Sequence, residues 1–390
     1  MKFLLPTLLA FAWTPILCAS INWQKNQADL GEQTRGIDIA DFDGDGQMDI
    51  LSTGVNRVFL IRNPLRNNQA EPIWDVVDGK LLYGASGDMD GDGDLDFVVA
   101  RETSPWIDYR EKRARREKAK KPSKNVPDFS VAWLENTGKI DPRRPQFHMI
   151  EKDMHGCHGL EIVDINQDGN LDVVGNSIKG DWKDSIAWFD NFSSKFVRHT
   201  IIERMAPVRP HYMDSGDLNR DGKPDIVVGH SGGNSLAWYQ NPPAMSGRWL
   251  KHDISEITGV TNGLIADFDK DNRPDVIASA GHGKGVFWFK SPRWQQTTVD
   301  ADFSDCHSLA IGDFDLDGDI DAAAASFTAK EVRWYENNGS GLFKTHMIDV
   351  GSGQESYDLK AVDLNKDGRL DLILAGRNSN NAVWYINEPG

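Results

Sequence analysis

A seven-bladed β-propeller, an all-β fold, is what this sequence predicts, and three observations predict it. An Asp-rich motif of nine residues recurs seven times, the copies lie about one four-stranded blade apart, and short alternating apolar runs flank each copy. The motif reads Asp-x-Asp/Asn-x-Asp-Gly-x-x-Asp and begins at Asp41, Asp88, Asp164, Asp217, Asp267, Asp313 and Asp363. Successive copies are 47, 76, 53, 50, 46 and 50 residues apart, so one long insertion interrupts an otherwise even period.

Each repeat supplies four strand signals. An apolar run precedes the motif (Ser308-Leu309-Ala310-Ile311-Gly312) and a second follows it (Asp225-Ile226-Val227-Val228-Gly229). A third carries a Trp, at 133, 188, 238, 288, 334 and 384, and a fourth alternates, as in Trp249-Leu250-Lys251-His252-Asp253-Ile254. The recurring Trp are read as packing between blades. The last repeat runs only to Gly390, directly after its Trp384 strand, and lacks the fourth element. Asn22-Trp23-Gln24-Lys25 resembles such a fourth strand, so the N-terminal segment is expected to complete the last blade and close the ring, which removes exposed sheet edges.

Residues 1–20 read as a secretory leader: Met1-Lys2, an apolar run from Phe3 to Leu17 broken by Pro6 and Pro15, then Cys18-Ala19-Ser20. The chain is therefore expected to be secreted (extracellular or periplasmic), with residues 21–390 forming one propeller domain and a monomer. Its formal charge of −16 argues against a nucleic-acid partner. Asn191-Phe192-Ser193 and Asn338-Gly339-Ser340 fit the glycosylation sequon. Cys157 and Cys306 fall in repeats three and six, nearly opposite across a ring, so no disulfide is expected between them.

Side-chain oxygens at motif positions 1, 3, 5 and 9, with a Gly for the sharp turn, suit one hard cation such as calcium. The candidate ligands are Asp41, Asp43, Asp45 and Asp49 in the first loop and Asp88, Asp90, Asp92 and Asp96 in the second. The third and fourth offer Asp164, Asn166, Asp168 and Asp172, then Asp217, Asn219, Asp221 and Asp225. The fifth offers Asp267, Asp269, Asp271 and Asp275, but Asn272 stands in place of Gly, which leaves its occupancy open. The sixth and seventh offer Asp313, Asp315, Asp317 and Asp321, then Asp363, Asn365, Asp367 and Asp371. Ions held there would stiffen blades. These repeats resemble the integrin-α-like, FG-GAP or VCBS family over essentially the whole chain after residue 20. The resemblance implies a propeller with calcium in its loops and does not fix a function.

Positions that repeat their residue type are structural; positions that do not are where chemistry can sit. Six residues before each first Asp stand Arg35, Leu82, His158, His211, Thr261, His307 and Tyr357, which would ring one mouth of the central channel. Thirteen residues after it stand Gly54, Arg101, Ser177, His230, Ala280 and Ser326, with Arg377 at fourteen in the last repeat and His282 two places beyond Ala280. Three His in one ring could converge on a further metal. The same ring also suits general acid–base work: Arg side chains neutralising a uronate carboxylate while a His or Tyr removes the neighbouring C5 proton. His158, His211, His307 and Tyr357 are the candidate catalytic residues, and Arg35, Arg101, His230, His282 and Arg377 the candidate substrate-binding ones. Polar channel lining is the plainer alternative.

The long spacing comes from residues 102–128, rich in Lys and Arg and expected on the same face, where it could steer an anionic polymer or stand as a solvated charged segment. Secreted propellers of this repeat type include lyases that cut rhamnose–glucuronate linkages, as in ulvan or gum arabic, and the His, Tyr and Arg at the mouth are similar to what those enzymes use. The resemblance implies a polysaccharide lyase acting on an anionic, uronic-acid-containing glycan by β-elimination. A carbohydrate-binding lectin or adhesion propeller without catalysis is the alternative.

Overall fold

The structure, a computed structural model, describes residues 21–75, 80–102, 129–137, 146–152, 154, 156–178, 184–203 and 209–390. Residues 1–20, read as a leader, and residues 103–128 of the basic insertion lie outside the described residues. Among the described residues are 28 strands, β1 to β28, in seven antiparallel sheets of four. Blade one is β2 (Ile37–Ala40), β3 (Asp49–Thr53), β4 (Arg57–Ile61) and β5 (Glu71–Asp75), hydrogen-bonded in that order. Blades two to six repeat the meander, starting at β6 (Lys80–Gly87), β10 (Leu160–Val163), β14 (Pro210–Gly216), β18 (Asn262–Ala266) and β22 (Cys306–Gly312). Blade seven runs β26 (Asp358–Val362), β27 (Asp371–Gly376), β28 (Asn381–Pro389) and then β1 (Ile21–Asp29). The first strands touch one another in a closed circuit, β2 to β6 and onward to β26, which returns to β2. This circuit is the wall of the channel.

Closure by the N-terminal segment is observed. β1 pairs with β28 along its whole length, from Ile21 opposite Pro389 to Asp29 opposite Asn381. Trp23 meets Phe314 edge-on at 6.0 Å, and Lys25 Nζ lies 2.8 Å from the Asp349 carboxylate. Strand burial follows the sequence pattern. β27 reads as an unbroken apolar run, Leu372-Ile373-Leu374-Ala375, and is buried throughout because blades cover both its faces. The outer strand β13 (Lys195–Glu203) alternates and is half exposed.

Two repeated devices hold the blades. Trp133, Trp188, Trp238 and Trp334 each lie flat against a cross-strand His (His148, His199, His252 and His346), with ring centroids 4.1–4.4 Å apart. Four of the ten His are thus structural. The second device is an Asn three residues after the Trp. Asn136, Asn191, Asn241, Asn337 and Asn387 each donate a side-chain N–H to a carbonyl in the loop of the preceding blade (Phe42, Met89, Ile165, Phe268 and Phe314), at 2.7–2.9 Å. Asn191 is buried in that contact, which rules it out as a glycosylation acceptor in the folded chain. Cys157 and Cys306 are buried free thiols, and burial pushes both up to about 12.

Candidate functional site

The mouth of the channel is built by the way each inner strand begins. Arg35, His158, Thr261 and Tyr357 stand one or two residues before β2, β10, β18 and β26. His211 and His307 lie where the pairing register slips, between Pro210 and Met213 in β14 and between Cys306 and Ser308 in β22. A bulge re-aims a side chain that regular pleating would send to a sheet face. The backbone is held in turn: the Asn176 side chain accepts from His158 N at 3.1 Å and donates to the His211 carbonyl, and Asn262 Nδ2 donates to the His307 carbonyl at 2.6 Å.

The result is one contiguous aromatic and basic cluster. Tyr357 Oη lies 2.9 Å from His158 Nε2, His158 Nδ1 lies 3.1 Å from His211 Nδ1, and His211 Nε2 lies 2.9 Å from His282 Nε2. His307 stacks on Tyr357 with centroids 4.2 Å apart and faces the Tyr357 carbonyl through Nδ1 at 3.1 Å. The guanidinium carbons of Arg377 and Arg35 sit 5.1 and 5.4 Å from the Tyr357 ring centre. His158, His211, His307 and Tyr357 are at most 5% exposed, whereas His282 is exposed, so solvent meets the His group at His282. Burial, followed by the other His and Arg groups, holds His158 and His211 well below the usual imidazole range; burial takes His307 to about 3 and lowers His282. These rings are neutral, with lone pairs available.

Other ring positions do not join the cluster. Leu82 packs in an apolar core, and Thr261 receives the Gly281 N–H. Arg101 lies over Phe129 at 4.7 Å. His230, placed with the substrate-binding set from sequence, is turned into blade four, where its Nε2 lies 2.9 Å from Tyr239 Oη. Two participants escaped the sequence reading. Tyr212 Oη contacts the Tyr83 hydroxyl, donates to the Tyr357 carbonyl and lies 3.2 Å from His307 Nδ1. Both follow a ring position by one residue, so the same test for non-repetition at that register would have found them.

Beneath the cluster the channel narrows to a cavity lined in part by Glu161, Asp358 and Lys360. Acids of the inner strands link blades: Asp358 accepts from Ile37 N, Asp38 from Ser86 N and Asp214 from Ile265 N, each from the next blade.

The seven motif loops are well formed. The position-9 carboxylate is buried and accepts the backbone N–H of position 2 in six loops, as at Phe42 to Asp49 and Met89 to Asp96. Burial raises these acids, Asp96 to about 7 and Asp321 to about 8. In the fifth loop Asn272 takes φ +62°, the left-handed conformation that Gly takes elsewhere, and its N–H reaches Asp267 at 2.7 Å. The missing Gly therefore does not break the loop. Its difference is electrostatic: Lys290 Nζ contacts Asp269 and lies 3.1 Å from Asp271. In the first loop, Arg62 pairs with Asp43 at 2.7 Å. Among the described residues, one oxygen each of Asp41, Asp94 and Asp269, in the first, second and fifth loops, is buried without a partner, and such oxygens suit a hard cation.

A model of the FG-GAP-like repeat matches residues 164–228, 217–278 and 313–374. The chain carries FG-GAP-like repeats. Comparison with curated proteins gives no significant match. Among solved structures, the repeats superpose on Raptor of Chaetomium thermophilum with a TM-score of 0.60 at 10% identity, over 95% of this chain. The chain spans 29% of that protein's length, and at such identity the likeness speaks to fold alone.

Proposed function

We propose that the mouth binds the carboxylate of a uronic-acid glycan and cleaves the chain by β-elimination. One observation carries this reading: two guanidinium groups, Arg35 and Arg377, converge on Tyr357 without an ion-pair partner among the described residues. Glu355, which acts on Arg377 from a distance, is engaged by Lys330 at 3.5 Å. Paired cations in a part-buried site call for an anion from outside. With the uronate carboxylate on the two Arg, negative charge developing at C5 is stabilised. Tyr357, hydrogen-bonded to His158, takes the C5 proton as His158 accepts the phenol proton. The C5–H electron pair becomes the C4–C5 double bond, the C4–O bond breaks, and the leaving oxygen is protonated. The test is a screen of uronate polymers for the ultraviolet absorbance of the unsaturated product. Arg377→Ala is expected to lower kcat/KM by about 10- to 100-fold, the scale of one charged hydrogen bond. Tight sugar binding with no unsaturated product from any uronate polymer would instead make the protein a lectin, a reading that the residue types at the mouth, which differ from repeat to repeat, disfavour.

We also propose calcium in the motif loops, with the fifth loop excepted because Lys290 already engages two of its candidate ligands, Asp269 and Asp271. Ions that bind only the folded chain stabilise it, by ~2.7 kcal/mol per site at a hundredfold excess over Kd. Chelation is expected to lower the melting temperature by several degrees, and metal analysis to return fewer calcium ions than loops. An unchanged melting curve after complete chelation would refute the assignment.

A further inference from the structure

We infer that His211, His282 and His307 form a mononuclear site for a borderline divalent metal ion of the zinc type. One ligand atom from each lies within 4.8 Å of the other two, and His211 Nε2 and His282 Nε2 are 2.9 Å apart. Two imidazole nitrogens on a tetrahedral ion stand about 3.3 Å apart when each metal–nitrogen bond is ~2.0–2.1 Å, so a small separation of the two rings would admit the ion. The tautomers agree with this use. His307 Nδ1 faces the Tyr357 carbonyl at 3.1 Å, and a carbonyl only accepts, so the proton is on Nδ1 and the lone pair on Nε2. That Nε2 is buried, has no hydrogen-bond partner among the described residues, and belongs to a residue 2% exposed. His211 can likewise direct Nδ1–H to His158 Nδ1 at 3.1 Å, leaving its Nε2 lone pair toward His282. Orienting partners of this kind, holding the far nitrogen of a ligating imidazole, are what built metal sites possess.

Chemistry separates this site from the loops. Three neutral imidazoles favour zinc-type ions, whereas the loops offer oxygen alone and suit calcium. Because His282 is the exposed member, a fourth coordination position would open toward the mouth. Arg209 and Arg377 act electrostatically on His282, so an ion there would make the mouth more positive and strengthen its preference for anions. The inference is separable from the lyase reading. A ligating His211 leaves the proton of neutral His158 on Nε2, facing Tyr357, whereas the base step needs a lone pair there and so belongs to the metal-free mouth. Metal binding is measured without substrate, and either can fail alone.

The experiment uses the full chain, stripped with EDTA, returned to excess Ca2+ to fill the loops, and titrated with Co2+ as a spectroscopic stand-in. Saturation at one Co2+ per chain is expected, with the intense visible band of a low-coordinate, nitrogen-bound ion. His282→Ala changes an exposed side chain and should keep the fold, checked by its melting curve; it and His307→Ala should weaken binding by more than about tenfold. His346→Gln, on the outer strand of blade six, should leave binding unchanged. No such band in the presence of Ca2+, or a band of undiminished affinity in both the His282 and His307 variants, would overturn the assignment.

Discussion

Tyr357→Phe is expected to cut turnover on the cognate uronate polymer by a factor of ~10²–10⁴, the usual loss when a general base is removed. The change is nearly isosteric. The ring keeps its 4.2 Å stack on His307 and its place under Arg35 and Arg377, and the backbone carbonyl that receives Tyr212 is untouched. The 2.9 Å contact with His158 Nε2 is lost, a stability cost of about 1 kcal/mol. The loss should therefore appear in kcat, with KM little altered, because the Arg pair that holds the carboxylate remains. His158→Gln should fall in the same range, having removed the group that takes the phenol proton. Full activity in both variants on an identified substrate would place the chemistry elsewhere.

Removal of residues 21–29 is expected to cost the fold more than any point substitution in the ring. The deletion takes away all nine cross-strand pairs between β1 and β28 and leaves β28 as an open edge. It also uncovers Phe314 and the pocket against which Trp23 packs, and frees Asp349 from Lys25. An unpaired apolar edge recruits other chains. Size-exclusion chromatography with light scattering should show aggregates or strand-exchanged oligomers, with a lower melting temperature for any monomer that remains. A monomeric truncated chain that melts like the parent would contradict this view of closure.

What could be read in the sequence follows from what repeats. The motif loops, the four-strand rhythm and the missing last strand recur in register, so seven blades and their closure by Asn22–Lys25 were legible. The site was legible only in outline. Arg35, His158, His211, His307 and Tyr357 were found because their position does not repeat, and five side chains at one register of a ring must face one channel mouth. His230 ends the second strand of blade four, and His282 lies three residues past the second strand of blade five. One turns inward to Tyr239 and the other outward to His211, a choice made by rotamer and local loop path. Tyr83 and Tyr212 were hidden because strand alternation assigns neighbours of a ring residue to the opposite face, and bulges at Leu82 and His211 defeat that alternation. Lys290 stands nineteen residues beyond Asp271 in the chain, and only cross-strand pairing returns it to the fifth loop.

The pairing of Ile21 with Pro389 also has a consequence in time. In chain order β1 precedes its partner β28 by the length of the ring. At ~5–20 residues per second, the roughly 370 residues between them take some tens of seconds to add. For that interval β1 is a strand without a mate. Its composition suits the wait: Asn22, Gln24, Lys25, Asn26 and Gln27 leave few apolar side chains for a stray strand to grip. β1 is thus under two demands, to stay unattached early and to seal the circle late, and its polar, singly basic sequence serves both.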